Sequence, residues 1–256
     1  MSHVLAAPRR SMSQDIADQL LGAMRAGCYR PGDALPTEAE LARQFGVSKP
    51  TLRESLRRLA ALGVLTITHG HRAVVCVPGA AALACFIDLS VAVDPDGLRE
   101  AVEFRAGLET ECAAHAAERA STDDLSQLGA LIEQMGSGRA DPARWEPLHA
   151  QFHLALAHAS GNRLFASMHQ ALSNTIVLTS RHLRQAQPQR DADATFQRHL
   201  ELFEAVRSGD PLRARAAMAH HFTVAAAVIA CQARARRAAA SPDLPFPSPP
   251  PPQEYS

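Results

Sequence analysis

At 256 residues with 46% apolar side chains, the chain has the length and hydrophobic content for two ordinary domains, each with its own core. Its 26 basic and 26 acidic side chains cancel, but unevenly: residues 1–77 carry ten Arg and Lys against six Asp and Glu, and residues 78–237 carry 16 against 18. The basic first third suits a polyanionic partner. Five scattered cysteines without a CxxC pair, no uncharged apolar run of 18 residues and no apolar signal core argue against a disulfide scaffold, a membrane protein and a secreted one; they imply a soluble chain in a reducing cytoplasm.

Residues 1–12 read as a flexible leader. From Ser13, Ile16, Leu20 and Met24 recur at helical spacing until Pro31-Gly32-Asp33 forces a turn. Thr37 with Glu40 forms a capping box that opens a short helix through Leu41 and Phe45, and Gly46 ends it. Ser48 caps the next helix, with Pro50 tolerated in its first turn and Leu52, Leu56 and Leu59 on its buried face. The runs 64–68 and 73–77 are β-rich and flank His69-Gly70-His71-Arg72, a hairpin pattern. Helix, helix, tight turn, helix, hairpin is the order of a winged helix-turn-helix, so 13–77 is read as a DNA-binding domain.

After Pro78 the pattern is mainly α, with no further strand signal. Asp94-Pro95, Asp141-Pro142 and Asp210-Pro211 each set a capping Asp before Pro, marking helix starts near 95, 142 and 211. Ser121 with Asp124 marks another, and helices are expected near 122–136, 142–160, 163–184 and 190–208. This all-α bundle, 78–237, is the second domain. The Pro-rich segment 238–256 has no composition for a core and is expected to be disordered.

A helix opening at Ser48 can enter the major groove amino-terminus first, with its N–H groups and dipole toward phosphate. Lys49, the one lysine of the chain, sits at that tip, and Arg53, one turn on, can reach a guanine edge or a phosphate. Ser48 and Thr51 offer hydroxyls for backbone contacts, and Arg57, Arg58 and Arg72 add charge. The segment TEAELARQFGVSKPTLRESLRRLAALGVLTITHG resembles the GntR family of bacterial regulators, most closely its FadR-like branch. The resemblance implies that His69 and Gly70 form the wing tip, with His69 probing the minor groove. Where that branch often has Arg, this chain has Ala39, so operator preference does not carry over.

In the second domain, Glu103-Phe104-Arg105-Ala106-Gly107-Leu108-Glu109 resembles the opening of the FCD ligand-binding domain. Arg105 shares a helical row with Val102, Leu108 and Cys112, and a guanidinium in an apolar stripe needs a partner. That partner is either a ligand carboxylate or Glu103 or Glu109. His149 and His153 lie one turn apart on one helix, His199 lies between Phe196 and Phe203, and His221 between Met218 and Ala225. Three helices thus aim four imidazoles inward, the donor set of a divalent transition metal. These are also the metal positions of the FCD pattern, with His149 where relatives commonly have Asp. The loss of a carboxylate favours zinc, then nickel or copper, over manganese. His220 ranks second to His221, and His115, His158, His169 and His182 are read as ordinary.

The expected function is an effector-controlled DNA-binding regulator: a repressor, homodimeric on an inverted repeat, that senses a small carboxylate at the metal site. Arg105, Asn174 and Arg181 are the candidate effector contacts. Two other readings stand beside it. One is a regulator whose metal is purely structural. The other is a metalloenzyme, against which the absence of HExxH and the presence of a winged helix both speak.

Overall fold

A computed structural model describes residues 10–68, 71–186 and 191–239, the last five without their side chains. The chain divides into two compact units between Phe86 and Ile87.

The first unit holds α1 (Met12–Arg25), α2 (Glu38–Phe45), α3 (Lys49–Ala61), β1 (Leu65–Thr66) and β2 (Val74–Val75). Local chemistry sets each boundary. Thr37 accepts from the Glu40 N–H while the Glu40 carboxylate accepts from the Thr37 N–H at 2.8 Å, a closed capping box. Gly46 closes α2 in the left-handed region at φ 66°, which glycine adopts without steric cost. Ser48 caps α3 by accepting from the Thr51 N–H. The ordered strands are shorter than the β-rich runs, with Leu65 opposite Val75 and Thr66 opposite Val74. The segment after the first turn lies on the far side of β2: the Leu35 N–H donates to Ala73 O, and the Val75 N–H donates to Asp33 O. Ile16, Leu20, Leu35, Leu41, Leu52, Leu56, Leu59 and Val75 form the core of this unit. Each such side chain contributes about 1.5–3 kcal/mol of burial.

Helix α4 (Ala81–Val93) spans the division. The second unit continues with α5 (Gly97–Arg119), α6 (Thr122–Gly138), α7 (Pro142–Ala159), α8 (Arg163–Ala171), α9 (Ser173–Ala186), α10 (Ala192–Arg207) and α11 (Pro211–Ala239). Asp141 accepts from the Ala143 N–H ahead of Pro142, and Asp210 accepts from the Leu212 and Arg213 N–H groups ahead of Pro211, as two of the three Asp-Pro pairs predict. At the third, Asp94-Pro95, the helix starts only at Gly97, with Asp96 at the N-cap position and no side-chain cap bond. The single helix expected over 163–184 is two. At Leu172 the Leu172 carbonyl accepts from the Thr175 N–H and hydroxyl, and the polar run Ser173-Asn174-Thr175 competes with the helical ladder there.

Helix α5 packs on α11, α7 and α10 around Leu128, Met135, Phe152, Leu156, Leu202, Met218 and Phe222. By length and composition Pro211–Arg234 of α11 is apolar enough to cross a bilayer. Ala214, Met218, Phe222, Ile229 and Ala233 of that stretch are instead core residues of this unit. Of the five cysteines, only Cys112 is buried, and burial pushes its thiol up to about 12.

Candidate functional site

Two sites emerge, one in each unit. In the first unit α3 carries its polar residues on the face away from Leu52, Leu56 and Leu59, so Lys49, Arg53, Arg57 and Arg58 are all exposed. The Ser48 and Thr51 hydroxyls sit 2.9 Å apart at the amino-terminal tip. Arg53 donates from Nε to Glu38 at 2.8 Å, which orients its fork across the start of α2. A groove of about 790 Å³ runs beside α3, lined by Glu38, Arg53, Arg57, Thr68, His71 and Arg72 among others. Three guanidinium groups against one carboxylate give the groove the charge of a phosphate-facing surface. His69 and Gly70 lie outside the described residues. His71, which the sequence analysis did not single out, lines the groove.

In the second unit the four histidines come together. His149 and His153 stand on α7, His199 on α10 and His221 on α11. Their rings are 4.4–6.2 Å apart between centroids, and one donor atom from each lies within 4.8 Å of the others. His199 Nδ1 lies 2.8 Å from the Thr195 carbonyl. That contact places the proton on Nδ1 and leaves the Nε2 lone pair for a ligand role. His149 Nδ1, His153 Nε2 and His221 Nδ1 are buried with no hydrogen-bond partner. Nitrogens left without a protein partner inside a core are costly, and a cation offsets that cost.

The charge state agrees. Burial first, then the neighbouring imidazoles, holds His149 and His221 well below the usual imidazole range. Burial lowers His153 as well, with Glu109 opposing the shift. Neutral imidazoles are the metal-binding form, so the residues fit a divalent ion.

A cavity of about 40 Å³ opens beside this cluster, lined by Arg105, Trp145, His149, Thr179, Ser180, His199, His221 and Phe222 among others. Arg105 is 2% exposed, and its Nε donates to Glu109 at 3.0 Å. Of its two candidate intramolecular partners, Glu103 is exposed and pairs with Arg99 at 2.7 Å. The guanidinium still borders the cavity and lies 5.3 Å from the Phe222 ring.

The other two candidate effector contacts lie elsewhere. Asn174 is exposed, donates to Asp88 at 2.6 Å and lines a separate groove with Val91, Leu98 and His182. Arg181 is exposed. Helix α9 instead turns Ile176, Thr179, Ser180 and Leu183 to the cavity, one helical face at three- and four-residue spacing.

Sequence reasoning missed Trp145 and His169, and read Glu109 only as a possible partner of Arg105. Trp145, the single tryptophan, lies 5.3 Å from the His199 ring and 6.1 Å from that of His149; the i, i+4 spacing to His149 could have found it. Glu109 is 1% exposed, with Oε2 at 2.6 Å from His153 Nδ1 and Oε1 at 3.4 Å from His169 Nε2. Burial alone would raise the Glu109 carboxyl; Arg105 and then His153 outweigh it and hold the group well below the usual range. His169, read as ordinary, is thus part of the cluster. His220 is exposed and faces Glu201 at 3.7 Å, which leaves His221 as the inward member of that pair.

A winged helix with a basic reading face, joined to a helical unit that gathers histidines and an arginine around a cavity, defines a DNA-binding transcriptional regulator with a ligand domain. The comparisons place it more narrowly. Residues 12–75 match the model of the bacterial regulatory proteins of the gntR family, and residues 100–224 match the FCD domain. The chain belongs to the GntR family and carries an FCD domain, as the FadR-like resemblance implies. It is 29% identical over 217 residues to the HTH-type transcriptional repressor NanR of Klebsiella aerogenes, covering 83% of each chain. It is 28% identical, with the same coverage, to NanR of Cronobacter sakazakii. Among solved structures, Streptococcus agalactiae GntR aligns with a TM-score of 0.65 at 26% identity, over 84% of this chain and 99% of that one.

Proposed function

We propose that this regulator is a homodimeric repressor that binds an inverted repeat and responds to a small carboxylate held at a divalent metal, with zinc ahead of nickel and copper. The observation that carries the reading is the convergence of four imidazoles from three helices on a cavity bordered by Arg105. His149, His153, His199 and His221 hold the ion. The ion and the guanidinium then offer two points of attachment to a carboxylate and a neighbouring oxygen. Asn174 and Arg181 lose their support as contacts, and Thr179 and Ser180 replace them as the polar groups on the α9 wall.

In the first unit, Ser48, Lys49, Thr51, Arg53 and Arg57 meet the duplex. Twofold pairing sets two reading helices on two half-sites. The effector changes affinity only by its preference between arrangements of the dimer. The protein acts by binding, not by turnover.

A second reading, in which the ion is structural, draws on the cavity volume. About 40 Å³ takes an ion's open positions and a water or two, at roughly 15–30 Å³ per water, and an organic acid is larger. Effector binding therefore requires the α9 wall to move outward. The deciding experiment adds a panel of hydroxy, keto and sugar acids to zinc-loaded protein on its genomic operator. One acid should raise the melting temperature and shift operator affinity by five-fold or more, since allosteric couplings run about 1–3 kcal/mol. Metal retention with no responsive acid across the panel leaves the structural-ion reading standing and removes this one.

A further inference from the structure

The buried carboxylate of Glu109 sits where the two halves of the proposed effector site meet. Its Oε1 accepts from Arg105 Nε at 3.0 Å, and its Oε2 lies 2.6 Å from His153 Nδ1. The side chains of all three are at most 3% exposed. His169 Nε2 adds a third contact to Oε1 at 3.4 Å, and its ring lies parallel to that of His153 at 6.3 Å. Water does not reach this group, so its negative charge is balanced by these neighbours alone.

Glu109, His153 and His169 could by residue type hold an ion of their own. Two features oppose that. An ion with donors at 2.0–2.1 Å sets tetrahedral donors roughly 3.4 Å apart, whereas Oε2 and Nδ1 are at 2.6 Å. The Arg105 cation also occupies the approach to Oε1. The contact is that of a carboxylate beside a ring N–H. A proton drawn to Nδ1 fixes the tautomer and leaves the lone pair on Nε2, the buried nitrogen of His153 that has no protein partner. Arg105, held through Nε, keeps its terminal nitrogens for the cavity it borders.

We infer that Glu109 is a positioning residue which sets the ligating nitrogen of His153 and the direction of Arg105 together, making the metal half and the carboxylate half of the site one mechanical and electrostatic unit. The inference rests on the metal reading above and adds to it a residue that touches neither ion nor effector. Its consequence is linkage: a change at Arg105 is felt at the metal, although Arg105 ligates nothing.

Titration of the full-length chain with Zn²⁺, and with Co²⁺ for its visible bands, tests this. Glu109→Gln, which keeps shape and removes charge, should weaken Zn²⁺ binding about 10- to 100-fold, the usual cost of losing such a partner. In a His153→Ala background the same change should alter affinity less than two-fold, because the residue it acts through is gone. An equal loss in both backgrounds overturns the inference. Arg105→Met should shift the Co²⁺ bands in the wild-type background and leave them unmoved in Glu109→Gln; a shift in both, or in neither, breaks the link. Should Glu109→Gln fail to fold, ring-nitrogen NMR of the zinc-loaded wild type decides. His153 should coordinate through Nε2 with Nδ1 protonated, and coordination through Nδ1, or a second ion per chain, defeats the proposal. If the wild type binds neither Zn²⁺ nor Co²⁺, the metal reading itself fails. Normal wild-type binding with an unaffected Glu109→Gln removes only the role of Glu109.

Discussion

Lys49 and Arg53 lie one turn apart on the same exposed face of α3, and their chemistry assigns them different work at the duplex. Lys49 is a point charge at the helix tip, beside the Ser48 cap, where a phosphate oxygen fits. Arg53 is a planar fork, steadied at Nε by Glu38, with two nitrogens left for the edge of a guanine. Lys49→Ala should therefore weaken binding about equally on operator and random DNA and reduce the salt slope by about one. Arg53→Ala should cost about 1–3 kcal/mol on the operator and much less on random duplex. Competition binding at two salt concentrations separates the two patterns, and exchanged behaviours would show that the face is oriented otherwise. Neither change should shift the melting temperature appreciably, since both side chains are exposed. These residues were legible because caps and apolar spacing fix which way α3 faces. Glu109 was not. Leu98, Val102, Arg105, Glu109 and Cys112 follow one another along α5 at three- and four-residue spacing, so this buried face was readable, but what other helices bring against Glu109 was not. What surrounds Glu109 is supplied by α7 and α8, more than 40 residues away in sequence.

At the scale of elements, the chain announces its helices by their ends. Thr37 with Glu40, Ser48, Ser121 with Asp124, Asp141 and Asp210 all act as the caps their residue types predict. A cap needs only residues two or three positions apart, so sequence suffices. The break between α8 and α9 has neither glycine nor proline, and the pairing of Asp33 and Leu35 with β2 is non-local, so both escaped. The joint between α4 and α5 is a third such case. Gly97 carries an ordinary φ, but a Cβ there would stand 2.6 Å from the Ser90 carbonyl oxygen and 2.7 Å from Val91 Cα. Backbone cannot yield as a side-chain tip does. Gly97→Ala should destabilise the second unit by about 1–3 kcal/mol, the range for overpacking. Gly107, exposed in mid-helix on α5 with nothing within 4 Å of a Cβ, is the control. Gly107→Ala should stabilise by about 0.5–1 kcal/mol. Urea unfolding of the two variants should move in opposite directions, and a neutral Gly97→Ala would show that α4 and α5 meet more loosely.

Across the whole molecule, the two cores share no residue, and they differ in what they bury. The core of the first unit, among the described residues, holds Ser13 and Ser55 as its buried polar side chains, neither of which titrates in the working range. The second buries Arg105, Glu109, His153, His169 and His199, with His149 and His221 beside them. Acid should therefore act on one unit first. The native values of His149, His153 and His221 are depressed, chiefly by burial. In the unfolded chain these rings titrate near the usual value of about 6.5. As pH falls through that value the unfolded state takes up protons that the native state refuses, so stability is present above it and is lost towards the lower native values. Glu109, also depressed, adds a loss of the same sign, but only below about 4.3. Between pH 7.5 and 5.5 the histidines alone are at work. Calorimetry of chelator-treated protein should then show the transition of the second unit falling markedly across that interval while that of the first barely moves. Zinc at 100 times its dissociation constant should raise the second transition alone, by the equivalent of about 2.7 kcal/mol at neutral pH, and by less at pH 5.5, where protons compete for the same nitrogens. A pH-dependent shift confined to the first transition would mean that the imidazoles are not gathered in one buried cluster, and zinc stabilisation that does not weaken on acidification would mean that they are not its ligands.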